Sequence, residues 1–541
     1  MDGEALTQPG LRLAKQRANP LDRLLSLVVR AGEPVRAPEE GSATAVLVAR
    51  GRSIDFGILS VAILFGTVLR VIQLGAVGFN SDEAVYGGQA ASLAGNPDYV
   101  NNFPVVRAHP LLFQMLASPF YRSGVHDVPG RYLSAVFGVA TIALVFQLGR
   151  LLYGRRAGAI AALLLAVMPY HVIISRQMLL DGPMTFFATA AMVCLAQLGK
   201  TGRMAWLVAA ASCVGLASLT KETGAILLVS TFVFLSLAPR FWRPVRYVVA
   251  AALAALLLVA TYPVVTAMSG AGRSGASYLV WQLSRRPNND FLFYLTVVPT
   301  SIGVLLIAAA TVGLIFLRHR SSWREVLLLA WILVPFVFFE VWPVKGFPYL
   351  VMLTPALAVL AARALSALVD REPRKLLTLG AGVVATVAVF ASLTVPSLVS
   401  VFSPSSSSGL AGAGGSPGGR EAGRWVDVHV PQGARLMTLG PSMGNIMEYY
   451  SGRRADGLSV SANPLHRNPS YLPIPNPDGA LRSGDYQYVI WDAYSAKRSP
   501  TFAARELALI RKYHGRAVHT ETATFDGKAK QPVVVIYEVQ P

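Results

Sequence analysis

The sequence predicts an α-helical polytopic membrane protein with a small C-terminal α/β domain, and three observations predict it. Apolar residues make up 53% of the 541 residues and charged ones only 14%, a balance that makes lipid the main solvent. Stretches of about twenty apolar residues, enough to cross a bilayer core, recur as far as residue 400. Beyond a run rich in Ser, Gly and Pro, the pattern changes to short strand-like segments.

Residues 1–53 read as a cytoplasmic, disordered tail without a cleaved leader, because the one short apolar patch, Leu24 to Val29, is bounded by Arg23 and Arg30. Residues 54–400 hold about eleven transmembrane helices, near 54–75, 131–150, 157–174, 182–199, 204–219, 223–239, 247–268, 295–317, 325–342, 347–368 and 376–398. With the N-terminus inside, the short connections at 150–156, 200–203, 240–246, 318–324 and 363–375 are cytoplasmic and rich in Lys and Arg, as positive-inside topology requires. The first external loop spans 76–130. Residues 401–420 read as a Ser/Gly/Pro-rich linker, and 421–541 as an extracytoplasmic α/β domain. Its strands fall near Arg435–Leu439, Tyr486–Trp491 and Val533–Val539, with a helix over Thr501–Tyr513 capped by Thr501.

The formal charge of +19 sits between the apolar stretches, without aromatic interleaving, so it reads as topogenic and contact with the lipid bilayer replaces a nucleic-acid partner. Cys194 and Cys213 lie inside apolar runs with no CxxC, which indicates neither a disulfide framework nor a metal cluster. Walker, HExxH and dinucleotide fingerprints are absent from the sequence, so no nucleotide cofactor is supported.

Ionisable residues beside hydrocarbon are costly unless they face water, a partner or a substrate. Asp82 and Glu83 follow the first apolar stretch. One carboxylate of such a pair suits general-base work while its neighbour orients; Asp82 as the cap of a helix starting at Glu83 is the competing reading, and the two are compatible. Asp181, before Gly182 and Pro183, reads either as a second functional acid or as a helix start. Lys221 and Glu222 interrupt two apolar helices, which suits a phosphate-binding ammonium or a local ion pair. Arg176, Arg285, Arg286 and Lys345, with Tyr349 near by in sequence, are further anion-binding candidates, against simple snorkelling to head groups. Arg107 and His109 are weaker substrate-binding candidates in the first loop.

In order, Asp82-Glu83, His109-Pro110-Leu111-Leu112, Gly130-Arg131-Tyr132-Leu133, Arg150 to Arg156, Met168-Pro169-Tyr170, Arg176 to Asp181 and Leu219-Thr220-Lys221 resemble membrane glycosyltransferases of the GT-C fold. The group is that of protein O-mannosyltransferases and the lipid A aminoarabinose transferase, and Phe347 to Pro355 is similar to its late span. His109 stands where relatives often carry Lys. The resemblance implies transfer of a sugar from a polyprenyl-phosphate donor to an extracytoplasmic hydroxyl at the plasma membrane, with inversion. It implies Asp82 as base, Asp181 as the second acid, and Lys221, Tyr349 and Lys345 at the carrier phosphate. Glu83 and His109 are candidate ligands for a divalent cation, the one cofactor considered. A lipid or polysaccharide flippase, an envelope glycan polymerase or ligase, and a binding scaffold are the competing functions.

Overall fold

The computed structural model describes residues 42–105, 109–238, 244–268, 278, 281–285, 287–316, 323–369, 376–403, 416–524 and 529–540. Most of the tail, Arg107, Arg286 and most of the linker lie outside these residues. The described chain is mostly helical.

Each apolar stretch read from the sequence is helical, beginning with α1 (Ser42–Val71), α2 (Ser81–Leu93), α3 (Asp127–Tyr153), α4 (Arg155–Val167), α5 (Pro169–Ser175), α6 (Asp181–Thr201) and α7 (Ala205–Thr220). Of these, α2 belongs to the first loop and lies outside the apolar stretches. Among the described residues, five helices are long and apolar enough to cross a membrane, or up to seven if each of two bent pairs is one crossing. The stretch near 157–174 is one such pair: α4 and α5 meet at 61°. Met168 is extended at φ −68°, ψ 117°, as the residue before a proline prefers. The stretch near 295–317 breaks more sharply, by 98°, between Phe293–Ile302 and Val304–Ile315. Its hinge Gly303 takes φ 107°, which favours glycine, and a Cβ there would come within 2.3 Å of Leu393 Cδ2.

Helices α3 and α4 pack so closely that a Cβ on Gly149 would lie 2.7 Å from the Gly158 Cα. Where α3 ends, Tyr153 donates to the Glu325 carboxylate at 2.8 Å and Arg363 pairs with that same buried group. The hydrogen-bonded ion pair ties three helices at one level and leaves Glu325 compensated.

The C-terminal part forms a five-stranded sheet in the order β2-β1-β3-β5-β4, with β1 Leu436–Thr438, β2 Ala455–Gly457, β3 Tyr488–Asp492, β4 Arg516–Ala523 and β5 Gln531–Glu538. Strand β1 runs parallel to β2 and β3, while β5 is antiparallel to β3 and β4. Alternation splits the core in two. Leu436, Ile490, Val534 and Ile536 join the large core that includes Ala422, Val426, Ile446 and Met447 from α8 (Gly419–His429) and α9 (Pro441–Ser451). On the other face, Met437 and Val489 pack with Leu509 and Ile510 of α10 (Pro500–Lys512). That helix starts at Pro500, with Ser499, two residues before the expected cap, in the cap position and without a side-chain capping bond.

Helices α8 and α9 rest on the loop between α1 and α3. Tyr99 donates to the Tyr449 carbonyl at 2.7 Å, and Tyr450 donates to Asp127 at 2.8 Å while accepting from the Phe79 amide at 2.7 Å. Arg420 reaches the Gly75 carbonyl at 2.7 Å and Asp127 at 3.2 Å.

Candidate active site

The turn that opens α2 is set by local chemistry. Asn80 caps it, its Oδ1 accepting from the amides of Asp82 (2.9 Å) and Glu83 (3.0 Å). Glu83 Oε2 accepts in return from the Asn80 amide at 3.2 Å, which completes a capping box. The cap is therefore Asn80, two residues earlier than expected, because its amide side chain reaches both orphan amides. Asp82 is relieved of that task.

Glu83 is fully buried, and Arg131 from α3 holds it in a two-pronged pair at 2.7 Å on each oxygen, with the Met178 amide adding a third bond at 2.9 Å. The Arg131 guanidinium also donates to the carbonyls of Leu74, Val77 and Gly78 and lies over the Phe79 ring. One planar cation thus fixes the end of α1, the approach to α2 and the first turn of α2. The structure makes Glu83 an anchor, not a group open to substrate or metal.

Asp82 remains exposed, and its carboxylate makes no hydrogen bond or ion pair among the described residues. The surrounding protein nonetheless withdraws it from bulk water. That enclosure raises its pKa above the ordinary Asp value; His109 and Lys221 pull it down, and Asp181 and Glu83 push it up.

Two ion pairs face Asp82. Lys221, after the last turn of α7, is extended at φ −151°, ψ 132° and points its ammonium at Asp181, 2.8 and 2.9 Å from the two oxygens. Both side chains are nearly sealed from solvent. Burial depresses the lysine, but Asp181 outweighs it and holds the ammonium up at about 12. The cation lies 4.4 Å from the centre of the Tyr349 ring. Glu222, the next residue, turns the other way and accepts from His109 Nδ1 at 2.8 Å; Tyr278 meets Nε2 at 3.3 Å and itself accepts from Gln282 at 2.7 Å. The local pair of Lys221 with Glu222, one of the two readings of this break, is replaced by two partners from elsewhere in the fold, because Lys221 is extended while Glu222 opens a 3-10 turn.

Several candidates stand apart. Lys345 is buried with its ammonium donated to the carbonyls of Phe339 and Glu340 and 3.8 Å from the Glu340 carboxylate. Arg176 is spent on the Leu69 carbonyl at 2.7 Å. Neither joins Lys221. Arg285 stacks on Trp281 at 4.5 Å while remaining within electrostatic reach of Tyr349, Tyr278 and Asp82. Glu83 and His109 are not brought together, and among the described residues no group of three or more His, Cys, Asp or Glu side chains is placed to hold a metal ion. Tyr278, Gln282 and Tyr86, whose ring lies 6.0 Å from His109, were not singled out by sequence. Each is an aromatic or amide within an otherwise unremarkable segment, and only the fold brings it here.

In fold the chain is similar to solved proteins of the GT-C fold. ArnT from Cupriavidus metallidurans superposes with a TM-score of 0.66 at 15% identity, covering 90% of this chain and 98% of that one. Its structure bound to undecaprenyl phosphate gives 0.65 over 92% and 98%. The Archaeoglobus fulgidus oligosaccharyltransferase AglB, in complex with an inhibitory peptide and a dolichol-phosphate, gives 0.57 at 15% identity over 89% and 74%. Residues 108–266 match the family described as dolichyl-phosphate-mannose-protein mannosyltransferase. YycA of Bacillus subtilis (strain 168), a mannosyltransferase by name, is 31% identical over 110 residues, which is 20% of this chain and 16% of that protein's length.

Proposed function

We propose that the protein is an integral membrane glycosyltransferase that moves a sugar from a polyprenyl-phosphate carrier to a hydroxyl of an extracytoplasmic acceptor. The observation that carries the reading is Asp82: an accessible carboxylate without a hydrogen bond among the described residues, on a turn locked by Asn80, Glu83 and Arg131, facing a buried lysine. Asp82 takes the proton of the acceptor hydroxyl as that oxygen attacks the anomeric carbon. The bond from that carbon to the phosphate oxygen breaks, and its electron pair leaves with the polyprenyl phosphate. Lys221, steered by Asp181 and resting on Tyr349, faces the charge that gathers there. A single displacement inverts the anomeric centre. The solved ArnT and AglB complexes hold undecaprenyl phosphate and dolichol-phosphate respectively, which supports a carrier of this chemistry.

In this reading the C-terminal part shares the extracytoplasmic face with Asp82, since its helix α9 packs on the loop that carries that residue. The test is turnover of a polyprenyl-phosphate sugar by purified protein. Asp82→Asn should lower transfer by about 10²–10⁴, the range of general-base contributions, while still binding carrier. Near-normal turnover in that variant excludes Asp82 as base, and retention of configuration in the product excludes the single displacement.

A further inference from the structure

A polar cavity of about 170 Å³ lies where the first loop meets the sheet, lined by Asn101 and Asn102 on one side and by Asn445, Glu448, Asp456 and Tyr471 among others on the second. It is separate from the Lys221 hollow. We infer that this cavity is a carbohydrate subsite that holds a sugar unit of the acceptor beside the reacting hydroxyl. The inference rests on the transferase reading for the word acceptor, but the site itself does not depend on it.

The lining has the chemistry that a pyranose or furanose ring needs. Asn101 and Asn102 offer amides that both donate and accept, and Glu448, whose Oε1 accepts from the Ala455 amide at 3.1 Å, adds a carboxylate; the Asp456 carboxylate is held by Arg435 at 2.6 Å and Tyr486 at 2.8 Å. Tyr471 and Leu472 supply apolar surface for the C–H face. The volume is below the roughly 300–1,000 Å³ of pockets for drug-sized ligands, which suits one ring and excludes a long apolar chain. The Glu448 carboxylate offsets the one lining guanidinium, Arg454, so the cavity has no cationic bias and a phosphate is a poor occupant.

Its position ties it to the proposed chemistry. Asn445 is buried and donates both to Tyr471 Oη at 2.8 Å and to Ser81 Oγ at 3.0 Å. Ser81 precedes Asp82 in the first turn of α2. A ring seated against Tyr471 is thus linked through Asn445 to the turn that aims Asp82. Both halves of the cavity are needed: Asn102 reaches the Gly452 carbonyl at 3.0 Å and closes the seam between them.

The experiment is saturation-transfer NMR on the purified full chain in nanodiscs, with the methyl glycosides of mannose, galactose and arabinose as probes and a Ser/Thr-rich peptide as a separate arm. At least one glycoside should receive saturation at its ring protons in the unmodified protein and in Asp82→Asn alike. Tyr471→Ala and Asn101→Ala should each weaken that binding by about threefold or more, the loss of one ring face or hydrogen bond. Asn101 is exposed, so its variant keeps the test alive if Tyr471→Ala fails to fold. No bound glycoside, equal binding in the variants, or peptide bound at these residues in place of sugar overturns the subsite. Because Asp82→Asn and the glycoside arm need no turnover, failure of the transferase reading registers separately, in the donor assay.

Discussion

Asp82 is held at a cost that its neighbours show. A carboxyl whose folded pKa lies above its unfolded value binds its proton more tightly in the native state. As pH rises from the unfolded pKa through the raised folded one, the unfolded chain has already released the proton that the native state retains. Stability therefore falls across that window and stays lower above it. Asp82→Asn removes the ionisation, so thermal unfolding of this variant at neutral pH should come at a higher temperature than for the unmodified protein, while activity is lost. An unchanged or lower midpoint would mean that the hollow does not disfavour the ionised acid. The same shift predicts that transfer declines on acidification with a midpoint above 3.8, the ordinary Asp value, since the protonated acid cannot accept a proton; the initial rate against pH reads this directly. At this scale the sequence was informative about residue type and misleading about partners. Asp82, Asp181, Lys221 and Tyr349 were named from sequence, and they converge. Their pairings were not legible, because Asp181 and Lys221 are forty positions apart and a chain pattern carries no record of which side chain crosses which gap. Lys345 looked equivalent to Lys221, yet backbone carbonyls six and five positions earlier capture it.

At the level of elements, the first loop owes its order to α3 more than to α2. A thirteen-residue helix is too short to persist alone in water, and α2 is secured by the capping box and by the pair of Glu83 with Arg131. Removing one partner of a buried pair strands the other charge, which costs about 3–5 kcal/mol. Arg131→Ala should therefore lower unfolding stability by about that amount and disorder the turn that presents Asp82, whereas Asn80→Ala, which loses the cap and a long bond to Gln177 but strands no charge, should cost about 1 kcal/mol. Denaturation of both variants in the same detergent compares them, and a larger loss from Asn80→Ala would reverse this ranking of the two devices. The sequence pointed to the helices themselves because apolar runs of span length are unambiguous. It did not show the bends at Met168 and Gly303, since the extended backbone before Pro169 and the positive φ at Gly303 are dihedral choices within a run that stays apolar throughout. Strands β2 and β4 were missed for the opposite reason. Ala455–Gly457 and Arg516–Ala523 are polar edge strands, and such strands lack the alternating apolar signal that identified β1, β3 and β5.

For the molecule as a whole, the consequential feature is how the sheet is mounted. The two core faces put α8 and α9 between the sheet and the first loop, so the C-terminal part is built onto the Asp82 segment rather than tethered beside it. Asp127 is the fastening: buried at the start of α3, it accepts from Tyr450 and pairs with Arg420, while the Phe79 and Tyr449 rings pack tilted close by, their centres 4.9 Å apart. Both rings are fully buried, and burial of such rings contributes beyond simple area. Asp127→Ala breaks both polar bonds but leaves that apolar contact, so the mount should loosen without detaching. Hydrogen exchange should then quicken in Gly419–His429 and Pro441–Ser451, and in Ser81–Leu93 that they cover, while α6 and α7 keep their protection. Exchange confined to the sheet, with α2 unchanged, would show that the first loop stands without the C-terminal part. Faster exchange on both sides of the seam would show that the turn carrying Asp82 and the surface above it are one cooperative unit, so that whatever occupies that surface bears directly on the aim of the base.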